Sequence, residues 1–290
     1  MKGIILAGGA GTRLSPLTNV MSKQLLPIYD KPMIYYPLSV LMEANIRDIL
    51  IITTKEYKTL FQKLLGSGDH LGINISYKIQ PSPDGLAQAF ILGEEFLNNE
   101  AGVMILGDNI FYGETIPQLI QRAIAQTQYG KATVFGYKVK DPERFGVVEF
   151  NENQQIIGIE EKPKNPKSKY AITGLYCYPK DVCTKAKTLT FSNRNELEIT
   201  DLNNLYLDED KLNFIPLNNH STWFDTGTFD SLYEASTFIK TMQIHQNIII
   251  GCPEAIAFQK GWINIEDFIK ICDTIGKNSY KSYLLSLLGG

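Results

Sequence analysis

The residues best equipped for chemistry near the start of this chain are Gly8, Gly9 and Gly11, followed by Arg13 and Lys23. Glycines accept positive φ and let backbone N–H groups approach a ligand closely, so a glycine loop followed by two cations suits phosphate oxygens. Farther along, Asp108 follows the apolar run Val103 to Leu106, and Asp225 stands in a predicted turn ahead of Thr228. Carboxylates lining a crevice are candidate ligands for a hard cation such as Mg²⁺ that bridges to phosphate. Gln80 opens the segment Gln-Pro-Ser-Pro-Asp-Gly85, where its amide offers both donor and acceptor to a base edge. Glu161 and Lys162 lie in a charged, proline-broken stretch; such a pair can hold a sugar hydroxyl and a phosphate together.

Several function classes fall away on the same residues. The glycine loop is not a dinucleotide fingerprint, because Leu14 occupies the third glycine position, and no Gly-Lys-Ser/Thr follows it. A net charge of −3 gives no basic field for a nucleic-acid polymer, so the phosphate partner is expected to be small. Cys177, Cys183, Cys252 and Cys272 form no Cys-x-x-Cys pair, and His70, His220 and His245 are far apart, so no zinc cluster is expected. No apolar run approaches the roughly 18 residues of a membrane helix, and the one at Gly3 to Ala7 is too short for a secretory signal. One large domain and a cytoplasmic location are the expectation for 290 residues with 44% hydrophobic and 20% charged content.

The elements that must position these groups can be read in order. Ile4 to Leu6 predicts a strand buried on both faces, Pro32 to Ala44 a helix and Ile49 to Thr53 a second strand, which together make a right-handed βαβ unit. In such a sheet the loops at the strand C-termini line the ligand crevice. A helix over Lys55 to Leu65, a strand over Ile73 to Ile79, a helix over Leu86 to Leu97, a strand at Val103 to Leu106 and a helix from Ile116 to Gln128 continue the alternation. From Ala132 to Val139 onward, through Ile156 to Glu160 and Tyr170 to Tyr178, the pattern shifts toward antiparallel strands, and Leu212 to Leu217 predicts one more. A helix capped by Thr228 is expected to reach Ile239, then a short strand at Ile248 to Ile250 and three terminal helices. Ile265, Phe268, Ile269, Cys272 and Ile275 recur at helical spacing, a pattern of core or subunit contact.

Taken in order, GGAGTRLSPLT with Lys23, QPSPDGLAQAF, LGDN, RFGVVEF, EEKPKNPKS, YAITGLY, ELEITD, WFDTGT and CPEAIAFQKGWI span essentially the whole chain. This set closely resembles the sugar-nucleotide pyrophosphorylases and, within them, the glucose-1-phosphate thymidylyltransferases. The resemblance implies an α/β fold: a Rossmann-like mixed, mainly parallel sheet flanked by helices, with a smaller β-rich sugar-binding part and C-terminal helices. It implies a single domain over 1–290, with a nucleotide part to about 130, a sugar-phosphate part to about 240 and an oligomer-contact part beyond.

On this resemblance Gly8, Gly9, Ala10, Gly11, Thr12 and Arg13, with Lys23, hold the dTTP phosphates, and Gln80 and Gly85 contact thymine. Asp108 and Asp225 bind Mg²⁺ at the α-phosphate. Asn109, Gly146, Glu161, Ile172, Gly174 and Trp223 line the glucosyl site, and Lys162 and Arg194 take its phosphate. The implied reaction makes dTDP-glucose and pyrophosphate from dTTP and glucose 1-phosphate, with Arg13, Lys23, Asp108, Lys162 and Asp225 catalytic, in a homotetramer that opens a dTDP-rhamnose type of pathway. A uridylyl- or cytidylyltransferase, or a catalytically silent regulatory subunit, would share the fold. Two departures stand out: Leu217-Asn-Asn-His-Ser221 replaces a Gly-Arg-Gly-like segment tied in that family to an interface feedback site, and Asn195 replaces a glycine.

Overall fold

The computed structural model describes residues 1–9 and 11–289. In chain order the strands are β1 (Lys2–Ala7), β2 (Pro27–Ile28), β3 (Lys31–Pro32), β4 (Asp48–Thr53), β5 (Asn74–Ile79), β6 (Gly102–Leu106), β7 (Asn109–Tyr112), β8 (Ala132–Lys138), β9 (Gly146–Phe150), β10 (Ile156–Glu161), β11 (Tyr170–Tyr178), β12 (Leu212–Pro216) and β13 (Thr222–Asp225). The α-helices are α1 (Tyr35–Glu43), α2 (Lys58–Leu65), α3 (Gln88–Leu92), α4 (Glu94–Leu97), α5 (Ile116–Thr127), α6 (Val182–Ala186), α7 (Ile199–Leu207), α8 (Phe229–Gln246), α9 (Pro253–Gln259), α10 (Ile265–Thr274) and α11 (Ser279–Ser286).

The central sheet runs β5-β4-β1-β6 in parallel, and β6 is then joined by antiparallel β11. Its apolar runs are continuous because both faces are covered. Ile4, Leu6, Leu50, Ile52 and Met104 enter one core, while Ile5, Ala7, Ile49, Ile51, Val103 and Ile105 enter the core on the other side. Each Ile, Leu, Val or Met among them, fully buried, contributes on the order of 1.5–3 kcal/mol, which makes the strand C-termini a stiff platform for the loops that leave them.

The departure from a simple doubly wound sheet occurs along β11. Its C-terminal half, Leu175 to Tyr178, pairs with β6, whereas Ala171 pairs with Val147 of β9. A register shift between Ile172 and Tyr176 marks the place on its other edge, against β8. The β9–β10 hairpin therefore takes the position that β6 vacates, and a crevice opens between the C-terminal end of β6 and the start of β9. β12 runs parallel to β8 rather than joining the antiparallel set.

Four expectations need correction. The helix over Leu86 to Leu97 is two short helices broken at Gly93, where an added Cβ would sit 3.0 Å from Ile4 and 2.9 Å from the Ala89 carbonyl oxygen. Close packing on the sheet, not helix propensity, decides that point. No strand forms at Ile248 to Ile250, since the Ile250 N–H donates to the Gln243 side chain at 3.0 Å. Helix α8 continues to Gln246, beyond Ile239, from a Thr228–Ser231 capping box. Asp225 ends a strand instead of standing in a turn, because Thr222 to Asp225 pair with Tyr112 to Asn109. In the last helices Phe268 and Cys272 are fully buried, while Ile265 and Ile269 are exposed.

Candidate active site

The β7–β13 ribbon sets the centre of the site. Its end pair is Asn109 opposite Asp225, so Asp225 is carried to within reach of Asp108, which directly precedes Asn109. Thr226 reinforces the juncture by donating twice to the Asp108 carbonyl oxygen, through its amide at 3.2 Å and its hydroxyl at 2.8 Å. Neither local sequence nor helix geometry could have supplied this pairing, which is wholly tertiary.

Asn109 is the buried hub behind the carboxylates. Its amide nitrogen donates to Asp108 Oδ1 at 2.9 Å, and its Oδ1 accepts from Trp223 Nε1 at 2.6 Å and from the Gly174 amide at 3.0 Å. Gly174 must lack a side chain, since a Cβ would approach Asn109 Oδ1 to 2.6 Å. Asn109, Gly174 and Trp223 therefore line the cavity and also lock Asp108 in orientation.

The electrostatics divide the two carboxylates. Lys23, 7% exposed, donates to Asp108 Oδ2 at 2.5 Å. Burial presses the Asp108 carboxyl upward, but the Lys23 charge and the hydrogen bonds from Lys23 and Asn109 outweigh it and hold it below its ordinary value. Asp225 moves the other way, raised by burial and by the Asp108 charge against the partial relief of Lys23, Arg13 and Arg144. Two partly buried carboxylates that cannot comfortably share full charge are a donor set suited to a divalent cation. Among the described residues no group of three or more His, Cys, Asp or Glu could hold a metal.

Three cavities meet at Asp108. The first, about 260 Å³, is lined by Gly8, Gly9, Gly11, Thr12, Arg13 and Lys23. Gly9 and Gly11 have φ of +94° and +60°, a region that favours glycine and lets the loop turn tightly at the cavity wall. Ala10 lies outside the described residues. The second, about 200 Å³, is lined by Gly8, Gln80, Pro83, Gly85 and Leu86. Gly85, at φ +103°, packs directly on the segment before α7, where a Cβ would collide with the Leu197 backbone.

The third cavity, about 280 Å³, collects Arg13, Gly146, Glu161, Lys162, Ile172, Arg194 and Asp225 with the Asn109 hub. Glu161 accepts from Thr200 Oγ1 at 2.6 Å and faces Arg194 at 3.3 Å and Lys162 at 3.8 Å. Arg194 is held by Glu198 through Nε at 3.0 Å and Nη2 at 2.6 Å. Asn195 stands at φ +59°, so the glycine departure is conformationally satisfied by a residue that tolerates that region. Lys162 is itself at φ +46°, an uncommon backbone that sets its exposed side chain at the cavity.

Sequence reasoning gave no role to Arg144, Glu198 or Thr200, although the RFGVVEF and ELEITD segments contain them. Arg144 reaches to 3.6 Å of Asp225, with Nη2 buried and unbonded among the described residues. Charge counting across the crevice, had the β9 edge been foreseen, was the signal available.

A mainly parallel sheet with a glycine-rich loop after its first strand, facing a second cavity lined by charges of both signs across paired carboxylates, frames the site. The chain belongs to the nucleotidyl transferase family, whose model matches residues 2–242. Over 288 residues it is 57% identical to the glucose-1-phosphate thymidylyltransferase of Neisseria meningitidis, covering 99% of each chain. Among solved structures, a Bacillus anthracis chain described as a glucose-1-phosphate thymidylyltransferase in complex with sucrose superposes with a TM-score of 0.76 at 45% identity, covering 82% of this chain and 94% of that one. A UDP-glucose pyrophosphorylase complexed with UDP-glucose matches with a TM-score of 0.70 at 26% identity over 83% of this chain and 98% of its own.

Proposed function

We propose that the protein transfers the thymidylyl group of dTTP to α-D-glucose 1-phosphate, giving dTDP-glucose and pyrophosphate. The observation that carries this reading is the meeting of the three cavities at Asp108, with the glycine loop on one side and Glu161, Lys162 and Arg194 on the other. Two anions must approach each other there, so positioning and charge neutralisation are the main catalytic demands. The attacking phosphate oxygen is already ionised, and no general base is required. Lys162 and Arg194 orient that phosphate. Glu198 and Glu161 hold the Arg194 fork in place. Arg13 and Lys23 stabilise the departing pyrophosphate. Mg²⁺ bound by Asp108 and Asp225 would supply further neutralisation at the α-phosphate.

The reading extends to a homotetramer acting in the cytoplasm at the head of a dTDP-deoxysugar route of the dTDP-rhamnose type. Support for subunit contact comes from apolar Ile265 and Ile269, left exposed on α10. Among the described residues no helix is long and apolar enough to cross a membrane.

A matrix of nucleoside triphosphates against sugar 1-phosphates, read by pyrophosphate release, tests it. dTTP with glucose 1-phosphate should turn over fastest, and EDTA should abolish turnover until Mg²⁺ is restored. Faster turnover with UTP or CTP would replace the thymidylyl assignment, and nucleotide-sugar binding without Mg²⁺-dependent turnover would leave a regulatory subunit.

A further inference from the structure

Gln80 is nearly buried at the wall of the nucleoside cavity, and its amide is not free to choose an orientation. The chain of hydrogen bonds that decides it starts at Asp84. The Asp84 carboxylate can only accept, and its Oδ2 does so from Ser82 Oγ at 2.5 Å and Gln88 Nε2 at 2.7 Å. With its nitrogen committed to Asp84, Gln88 turns Oε1 toward Gln80 and accepts from Gln80 Nε2 at 2.8 Å. Gln80 Oε1 then lies on the opposite side, against Gly8, where an added Cβ would come within 2.0 Å of it.

An isolated glutamine can rotate its amide by half a turn at little steric cost and present a donor or an acceptor. Here rotation of Gln80 would set acceptor against acceptor unless Gln88 also rotated, and that would place the Gln88 oxygen against the Asp84 carboxylate. Either way a buried polar pair is lost.

We propose that Asp84 and Gln88 are specificity-determining positioning residues, whose relay fixes Gln80 with an acceptor available to the base and so selects a pyrimidine bearing N3–H over cytosine, whose N3 is itself an acceptor. Uracil and thymine are alike in this respect, so the relay separates both from cytosine and does not separate them from each other. The inference rests on the assignment of Gln80 to the base.

The test is the ratio of kcat/KM for dTTP to that for dCTP, with glucose 1-phosphate saturating and dUTP as a control. Asp84→Asn releases the start of the relay, and Gln88→Met breaks its middle. Each should lower the ratio about 10-fold or more, on the scale of one mispaired buried hydrogen bond, with dUTP following dTTP. Equal losses for both nucleotides in Asp84→Asn and Gln88→Met, or an unchanged ratio in both, overturn the relay. Should Gln80→Ala keep the full wild-type ratio, the assignment of Gln80 to the base fails as well. Should Gln80→Ala lose it while Asp84→Asn and Gln88→Met keep it, only the relay fails.

Discussion

The two halves of the site are built from different materials. On the nucleotide side, backbone amides of a glycine loop, a buried neutral amide relay and one buried lysine sit at the ends of parallel strands covered on both faces. Across the crevice, the proposed sugar-phosphate side is a network of charges, Glu161, Lys162, Arg194 and Glu196 partly or wholly exposed and Glu198 buried beneath them, carried by an antiparallel hairpin and the segment before α7. Gly8 and Gly85 tolerate almost no change, because a Cβ there would collide with Gln80 or with the Leu197 backbone. Charged side chains in a wetter cavity can adjust, and individual pairs there are screened by water.

That contrast can be broken at its boundary first. Asp225→Asn removes the carboxylate that the β7–β13 ribbon delivers, and turnover should fall roughly 10²-fold or more with the fold retained. Lys162→Ala should lose a similar factor, chiefly through the sugar 1-phosphate. Near-native pyrophosphate release by either variant would remove that residue from its role.

Gly8→Ala sharpens the comparison on the nucleotide side. The new methyl would collide with Gln80 Oε1, so kcat/KM for dTTP should drop about 10-fold while KM for glucose 1-phosphate holds. A loss confined to glucose 1-phosphate would show that the halves are not separable. Trp223→Phe keeps an aromatic ring but deletes the donor to Asn109 Oδ1, and a several-fold fall in kcat is expected from looser placement of Asp108. If KM for both substrates rises with kcat unchanged, Trp223 acts as a wall and not through Asn109.

The smallest effect concerns acid stability. Burial would raise the Glu198 carboxyl, but hydrogen bonds from Arg194 and Ser192 and the charges of Arg194 and Lys162 hold it below its ordinary 4.5. A carboxyl depressed in the folded state stabilises fully above its unfolded value and loses that contribution as pH falls through the folded one. Glu198→Gln should therefore flatten the fall in Tm below about pH 4.5, to a modest extent because Arg194 is partly exposed. An unaltered acid limb in thermal melts would show that the ion pair does not contribute to stability.

Much of this was legible without coordinates, and for physical reasons. Ile4 to Leu6, Ile49 to Thr53 and Val103 to Leu106 announced strands buried on both faces because no polar residue interrupts them. Gly8, Gly9 and Gly11 announced a tight loop at the end of the first strand, because Gly9 and Gly11 take a positive φ that other residues rarely adopt. Thr228 announced a helix start through its cap. Each of these signals is local, carried by residues that answer to their own neighbours in sequence.

Tertiary structure alone decided the pairing that makes a site of them. Asp225 reaches Asp108 only because Thr222 to Asp225 pair with β7, and Glu161 reaches Thr200 and Arg194 only because β11 exchanges β6 for β9 along its length. Strand partners distant in sequence are chosen by which apolar faces can be buried together, a global condition that no stretch of the chain expresses by itself.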